Sequence, residues 1–335
     1  TSTGSLCCQL QIHHLQAPHT PSALYRALGA IYGTRDAGRS FWEHLVKETT
    51  VNGKWVQSKL DRCLYRLYGD DGQLIGLCTS HVDDLLLCGD GSDVWVREVE
   101  RLREALHLTV STNKFRYCGK NVEQHDDYSV SIDQVESIDS LETIDLPKDK
   151  RKNTETLLDA AEISELRSGN GALGWIARQS RPDVAFHTSK IAQSMGMPRV
   201  RDVLLYNKAV HMLKESSDHK FDFVAGLDYD TAEIVAFSDA SFANIDDEKL
   251  GQDVRSQCGV CALLVSPNIA SGPVVAHILL WESSSSKRVV RSTLAAEAYA
   301  ASEAAEALAW LRALYKEIDT GHFESHEGAR PSHLL

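Results

Sequence analysis

Two adjacent carboxylates, Asp83 and Asp84, stand between apolar runs in residues 74–87 (LIGLCTSHVDDLLL), and side chains of this kind can hold a hard cation. The flanking runs read as two strands meeting at a tight turn, with the acids at or beside its tip. Half-buried like charges repel, so solvent or a cation must offset them, and oxygen ligands of this type suit Mg2+. The chemistry such a site supports is phosphoryl or nucleotidyl transfer. The competing reading is a plain hairpin turn, because Asp bonds readily to its own local backbone. For the pair taken alone, that reading is the stronger one.

The elements that must position the pair follow from periodicity. Residues 36–47 read as a helix with Phe41, Trp42 and Leu45 on its apolar side, and 55–68 is ambiguous between helix and strand. Gly69-Asp70-Asp71-Gly72 is a turn, after which 74–79 and 82–88 form the strands around the acids. Ser92 or Asp93 caps a further helix whose stripe of Trp95, Val99, Leu102 and Leu106 packs on the sheet. A helix covering an antiparallel sheet is an α+β arrangement. Beyond it, 128–132 is a short strand, and 145–156, charged and containing Pro147, is a linker or exposed loop. Helices are expected at 160–178, interrupted by Gly169 to Gly171, and at 183–195 and 201–216. Leu173, Trp175, Ile176, Ile191, Leu204, Leu205, Val210 and Leu213 would form their core. Strands follow from Glu233, at 258–265 and at 274–281, then an Ala-rich helix over 293–317 with Leu308, Leu311 and Leu314 on its packing side.

Several boxes in this order resemble the reverse transcriptase and ribonuclease H region of the Pol polyprotein of copia-type long-terminal-repeat retrotransposons. His81-Val82-Asp83-Asp84-Leu85-Leu86 is similar to the acidic strand-turn-strand of that family, with His81 where an aromatic residue is usual. The stretch from Ile31-Tyr32-Gly33 to Phe41-Trp42 resembles a YGLKQAPRAW segment, Phe115-Arg116-Tyr117-Cys118-Gly119 an FLG-like strand end, and Arg181-Pro182-Asp183-Val184-Ala185-Phe186 an RPD(I/V)AF box. In the C-terminal half, Phe237 to Ala243 with Ser256-Gln257-Cys258-Gly259, the serines after Trp281, and 292–304 resemble the start of the ribonuclease H domain. The resemblance runs over about 24–317.

It implies a partial palm, an antiparallel sheet with packed helices, at 1–125, a helical thumb or connection region at 126–225, and the N-terminal part of a ribonuclease H-like domain at 230–335. It also implies RNA-directed DNA synthesis and cleavage of RNA in a hybrid, with Asp83 and Asp84 in one Mg2+ site and Asp239 and Glu297 in another. Surface or capping charges are the alternative for the last two acids. Arg35 would meet a nucleotide phosphate, or serve equally as an exposed, solubilising charge. Asp36 places a carboxylate where nucleotide phosphates would approach, which weakens binding, and Gly38, at a proline position of the family, loosens the turn.

The implied partners are an RNA template, an RNA–DNA hybrid, deoxynucleoside triphosphates and other portions of the polyprotein, in a cytoplasmic particle or the nucleus. By this resemblance both sites are short of acids: residues 1–21 carry no DVxxAFLxG-like box with its further aspartate, and 319–335 carries neither the family's DN-bearing strand nor its later acid, so primer extension by this chain alone is not expected. The histidine-bearing tail, with His322, His326 and His333, reads as disordered, and the ends suggest a piece of a longer translation product. A non-catalytic nucleic-acid-binding or structural relic is the alternative to an enzyme.

Composition fits two or three folded domains, since 335 residues exceed what one core usually serves and 43% are hydrophobic. A net charge of -12 is awkward for a protein that grips phosphates. Among eight cysteines, Cys258 and Cys261 have a C-x-x-C spacing without a second pair, so core thiols in a reduced intracellular protein are expected over zinc. No stretch has the length of a membrane span, so no membrane partner is expected.

Overall fold

The computed structural model describes residues 6–12, 34–242, 255–267, 269–321 and 332–334. Ile31, Tyr32, Gly33, Ala243, His322 and His326 lie outside these residues. The fold mixes α and β, with antiparallel sheets and, among the described residues, eight α-helices. The chain divides into two compact units: Thr1–Val130 with Ala313–Glu327, and Ser131–Arg312 with Gly328–Leu335.

The first unit holds β1 (Leu6–Ile12), α1 (Ala37–Val46), β2 (Trp55–Gln57), β3 (Leu64–Tyr68), β4 (Leu74–His81), β5 (Asp84–Gly89), α2 (Asp93–Ala105), β6 (Leu108–Thr112), β7 (Lys114–Tyr117) and β8 (Lys120–Gln124). Six of these strands form one sheet in the order β2-β3-β4-β5-β1-β6, every pairing antiparallel. Helix α1 continues through a π turn at Lys47–Val51. The ambiguous stretch at 55–68 resolves into two strands with a loop between them.

Ser92 caps α2 as expected, accepting from the Trp95 amide, and Trp95, Val99, Leu102 and Leu106 are all buried. The sheet makes room for the indole with facing glycines: Gly76 pairs with Gly89, and a Cβ at either would lie 2.6 or 1.9 Å from the Trp95 ring. A side chain at either position would evict the helix from the sheet.

In the second unit, β9 (Val130–Asp133) leads to α3 (Val135–Asp139), α4 (Lys148–Arg151), α5 (Ala160–Gln179), α6 (Ala185–Ser194), α7 (Val200–Glu215) and β10 (Phe221–Phe223). The stretch at 145–156, expected as a linker or exposed loop, is largely exposed and contains the one-turn helix α4. Leu146 beside it is buried, and Arg151 Nε donates to the Leu146 carbonyl at 2.8 Å. Helix α5 is also unbroken where an interruption was expected. Gly169 lies under the Tyr206 ring, to which a Cβ would come within 2.6 Å, so packing with α7 replaces the stability that glycine loses. Of the expected core positions, Trp175 and Leu204 are 41% and 38% exposed, while Leu173, Ile176, Ile191, Val210 and Leu213 are buried.

The RPD box has a clear mechanical role here. Arg181 forms a bidentate pair with Asp183, at 3.0 and 2.7 Å, and donates to the Ser216 carbonyl and hydroxyl at 2.8 and 2.7 Å. It therefore ties the α5–α6 corner to the end of α7.

The remaining elements are β11 (Glu233–Ser241), β12 (Gln257–Val265), β13 (Ala276–Ser285), α8 (Thr293–Thr320) and β14 (Ser332–Leu334). They give a sheet in the order β13-β12-β11-β14. Of the tail expected as disordered, residues 332–334 instead form a strand that pairs parallel to β11, and His333 Nε2 lies 3.2 Å from Glu233 Oε2.

Strand alternation also answers the C-x-x-C question. Cys258 and Cys261 are three apart on β12 and face opposite sides of the sheet, so they cannot share an ion. Burial raises both thiols above their ordinary range, as core thiols require.

From Ala313 onward α8 belongs to the first unit. There Glu317 is buried at 1% side-chain exposure and faces Arg66, at 2%, across 3.1 Å. Ser58 Oγ and the Lys59 amide complete the carboxylate's bonds at 2.6 and 2.8 Å. No helix among the described residues is long and apolar enough to cross a membrane.

Candidate functional site

The β4–β5 hairpin has the tight turn expected, but two residues further along the chain than the strand limits of 79 and 82 set it. His81 pairs with Asp84, so only Val82 and Asp83 form the loop, and Val82 adopts φ 56. A two-residue hairpin loop needs left-handed backbone to match strand twist. A β-branched residue there is strained by about 1–3 kcal/mol. Val82 is 58% exposed, and the acids beside it are half-buried. The strain is thus held at the tip that carries both carboxylates.

Strand β1 lines the other edge of β5. Gln11 is the register partner of Asp84, and buried Gln9 sends Nε2 to Asp84 Oδ1 over a long 3.5 Å. The neighbouring strand therefore offers the Gln9 amide where a third acid would add a cation ligand. The β7–β8 turn closes in as well. Tyr117 OH lies 3.3 Å from Thr79 Oγ1, and Cys118 and Gly119 turn through φ 48 and 74. Burial first, with the charges of Asp84 and Asp83 among the further causes, raises the Cys118 thiol, whereas Lys120 acts to lower it. The expected box at 115–119 thus shares its neighbourhood with the acidic pair. Arg35 is exposed in the turn before α1, and no ion pair holds it among the described residues.

The second pair lies on β11 and α8. Ser292 starts α8 by accepting the Ala295 amide at 3.1 Å, which sets Glu297 in an early turn, and Glu297 Oε2 accepts from the Ala240 amide at 3.1 Å. Ala240 packs against Ala296 and Ala300 beneath the helix. Asp239 precedes Ala240 and is exposed, and alternation turns it toward the other side of the sheet. The two acids share a length of backbone rather than a single pocket. Glu303 is half-buried rather than fully solvated, and it acts with Glu297 and Glu282 on Cys258.

Hard oxygen donors are the right chemistry for Mg2+, yet no group of three or more His, Cys, Asp or Glu suited to a metal occurs among the described residues. Among the described residues each pair offers fewer than three such ligands. Sequence reasoning missed β1 and its glutamines. The signal was present in the alternation of LCCQLQI, with Leu6, Cys8, Leu10 and Ile12 on one parity.

No family model matches the chain. Over 308 residues it is 23% identical to the retrovirus-related Pol polyprotein from transposon RE2 of Arabidopsis thaliana, a match covering 89% of this chain and 20% of that protein. The chain thus spans about a fifth of the length of the curated relative it matches. Among solved structures, it is similar to a foamy viral protease-reverse transcriptase in complex with double-stranded DNA. That similarity has 10% identity and a TM-score of 0.39, and covers 69% of this chain and 36% of that one. The chain resembles a retrotransposon Pol region.

Proposed function

We propose that this chain is a copia-type Pol region, with a partial palm at 1–125, a thumb or connection segment at 126–225 and the opening of a ribonuclease H-like domain at 230–335. Its ancestral reactions are RNA-directed DNA synthesis and hydrolysis of RNA in an RNA–DNA hybrid. Asp83 and Asp84 descend from the first site, with Arg35 toward the nucleotide, and Asp239 and Glu297 from the second. Its substrates by this reading are an RNA template, deoxynucleoside triphosphates and the hybrid.

The observation that carries the reading is the strained two-residue turn bearing Asp83–Asp84 inside an antiparallel sheet, since strain at an acidic tip is a functional rather than a stabilising feature. The Gln9 amide on Asp84 supports the second part of the proposal, that phosphoryl transfer is impaired here. Mg2+-dependent primer extension on an RNA template tests it. No product from folded protein is expected, and product that disappears in D83N or D84N overturns the impaired reading.

A non-catalytic, nucleic-acid-binding relic is the second reading. What favours it is that each acid pair stands without a third ligand among the described residues while the cores around both pairs are fully packed.

A further inference from the structure

Within the second unit, α5, α6 and β13 enclose a cavity of about 960 Å3 that neither acid pair uses. Its α5 wall is one helical stripe: Arg167, Gly171, Gly174 and Arg178 recur at intervals of four, three and four. Trp175 stands beside them, 41% exposed. Both arginines are exposed and lack ion pairs among the described residues. On the opposite wall Ser283 and Ser285 share one face of β13, while Glu282 and Ser284 alternate toward the α8 side, and the floor is fixed by Gln257, which donates to Ser283 at 2.9 Å and to Ser189 at 3.1 Å. Asn170 Nδ2 is satisfied by the Thr188 carbonyl at 3.3 Å, while its buried Oδ1 has no partner among the described residues.

The two glycines are the telling residues. Gly169 is explained by Tyr206, but a Cβ on Gly171 or Gly174 would meet nothing within 4 Å. Glycine inside a helix costs stability relative to alanine, and no protein group compensates for it here. Such positions keep backbone open to something outside the chain. Two guanidinium groups for phosphates, an exposed indole as a stacking platform and the hydroxyls of Ser283 and Ser285 match one strand of unpaired nucleic acid. A duplex hides the base faces that an indole would stack on.

We propose that this cavity binds a short single-stranded segment of RNA or DNA, with phosphates at Arg167 and Arg178 and a base against Trp175. The proposal rests on the nucleic-acid reading above but on neither acid pair. The overall charge of -12 confines attraction to this local patch, so binding should be strongest at low salt.

Fluorescence anisotropy tests it on the full chain with labelled dT12, rU12 and a 12-base-pair duplex at about 50 mM salt in EDTA. Both single strands should bind, at least about fivefold tighter than the duplex. R167A/R178A should weaken binding about tenfold or more and lower the salt slope by about 1.4, the value for two single-strand phosphates. G171L should block binding while leaving the melting temperature at or above that of the parent, which separates occlusion from unfolding. Equal affinity in these variants, equal or tighter binding of duplex, or no binding overturns the proposal. R103A, which removes an exposed arginine of α2 paired with Glu100, should bind as the parent does. Mg2+-dependent cleavage or extension with binding intact therefore counts against the impaired reading alone, and lost binding with neither reaction detected counts against the cavity alone.

Discussion

Replacing Gln9 with glutamate tests the geometry of the acidic turn most sharply. Gln9 is 3% exposed and its amide lies 3.5 Å from Asp84 Oδ1, so Q9E exchanges a donor for a third carboxylate with almost no change of shape. Two unit charges at that separation repel by about 4–5 kcal/mol at an effective dielectric of 20. The chain escapes part of this by keeping the introduced carboxyl protonated, and at pH 7 protonating a group of ordinary pKa near 4.3 costs about 3.7 kcal/mol. That value is the ceiling for the charge contribution, and about 1 kcal/mol is added for the lost hydrogen bond. Urea denaturation in EDTA should therefore show Q9E about 2–4 kcal/mol less stable than the parent.

Three acids would then face one point, and Mg2+ should return stability to Q9E but not to the parent. At a hundred times the dissociation constant the gain is about 2.7 kcal/mol. NaCl of equal ionic strength serves as the control for screening. An undestabilised Q9E would mean that Gln9 does not meet Asp84 as described. A destabilised Q9E deaf to Mg2+ would refute the claim that one acid separates this turn from a cation site.

Other parts of the structure make independent predictions. V82G should relieve the left-handed strain and raise stability by about 1 kcal/mol, read as a higher urea midpoint; a lower midpoint would show that Val82 packing outweighs its backbone. R66M strands the buried Glu317 carboxylate and should cost about 3–5 kcal/mol, whereas R66M/E317Q should recover much of it. Equal stability of the two variants would contradict a charge penalty. At Asp183, burial pushes the carboxyl up, but the hydrogen bonds and charge of Arg181 outweigh it and hold the group below the ordinary carboxylate range. Its contribution is thus present above the unfolded pKa near 3.9 and is lost as pH falls through the lower, folded value. Acid denaturation of D183N should show a shallower loss below about pH 4 than the parent, and identical acid limbs would remove Asp183 from the linkage.

Much of the secondary structure was legible because its signals are local. The stripe of Trp95, Val99, Leu102 and Leu106 and the Ser92 cap fixed α2 within a residue of its observed start. What sequence could not supply were contacts between distant residues. Gly169 reads as a breaker until Tyr206, far along the chain on α7, is seen lying across it, and Glu317 is only the end of the expected Ala-rich helix until it meets Arg66.

The acidic turn was visible as a motif, but its two-residue loop depends on register, which hydrophobic alternation does not count to the residue. Strand β1 lacks a strong turn signal of its own and is positioned by its pairings with β5 and β6. The Asp239–Glu297 relation came from resemblance. The structure adds the bond from Glu297 to the Ala240 amide, together with the alternation that turns Asp239 aside.

The central proposal is that this chain is a Pol region whose two acid pairs do not assemble working two-metal sites. Its most direct test is Mg2+-dependent cleavage of a labelled RNA–DNA hybrid by folded full-length chain beside the D239N/E297Q double variant. The account predicts cleavage by the parent no faster than by the variant. Mg2+-dependent cleavage by the parent that the double variant abolishes would contradict it.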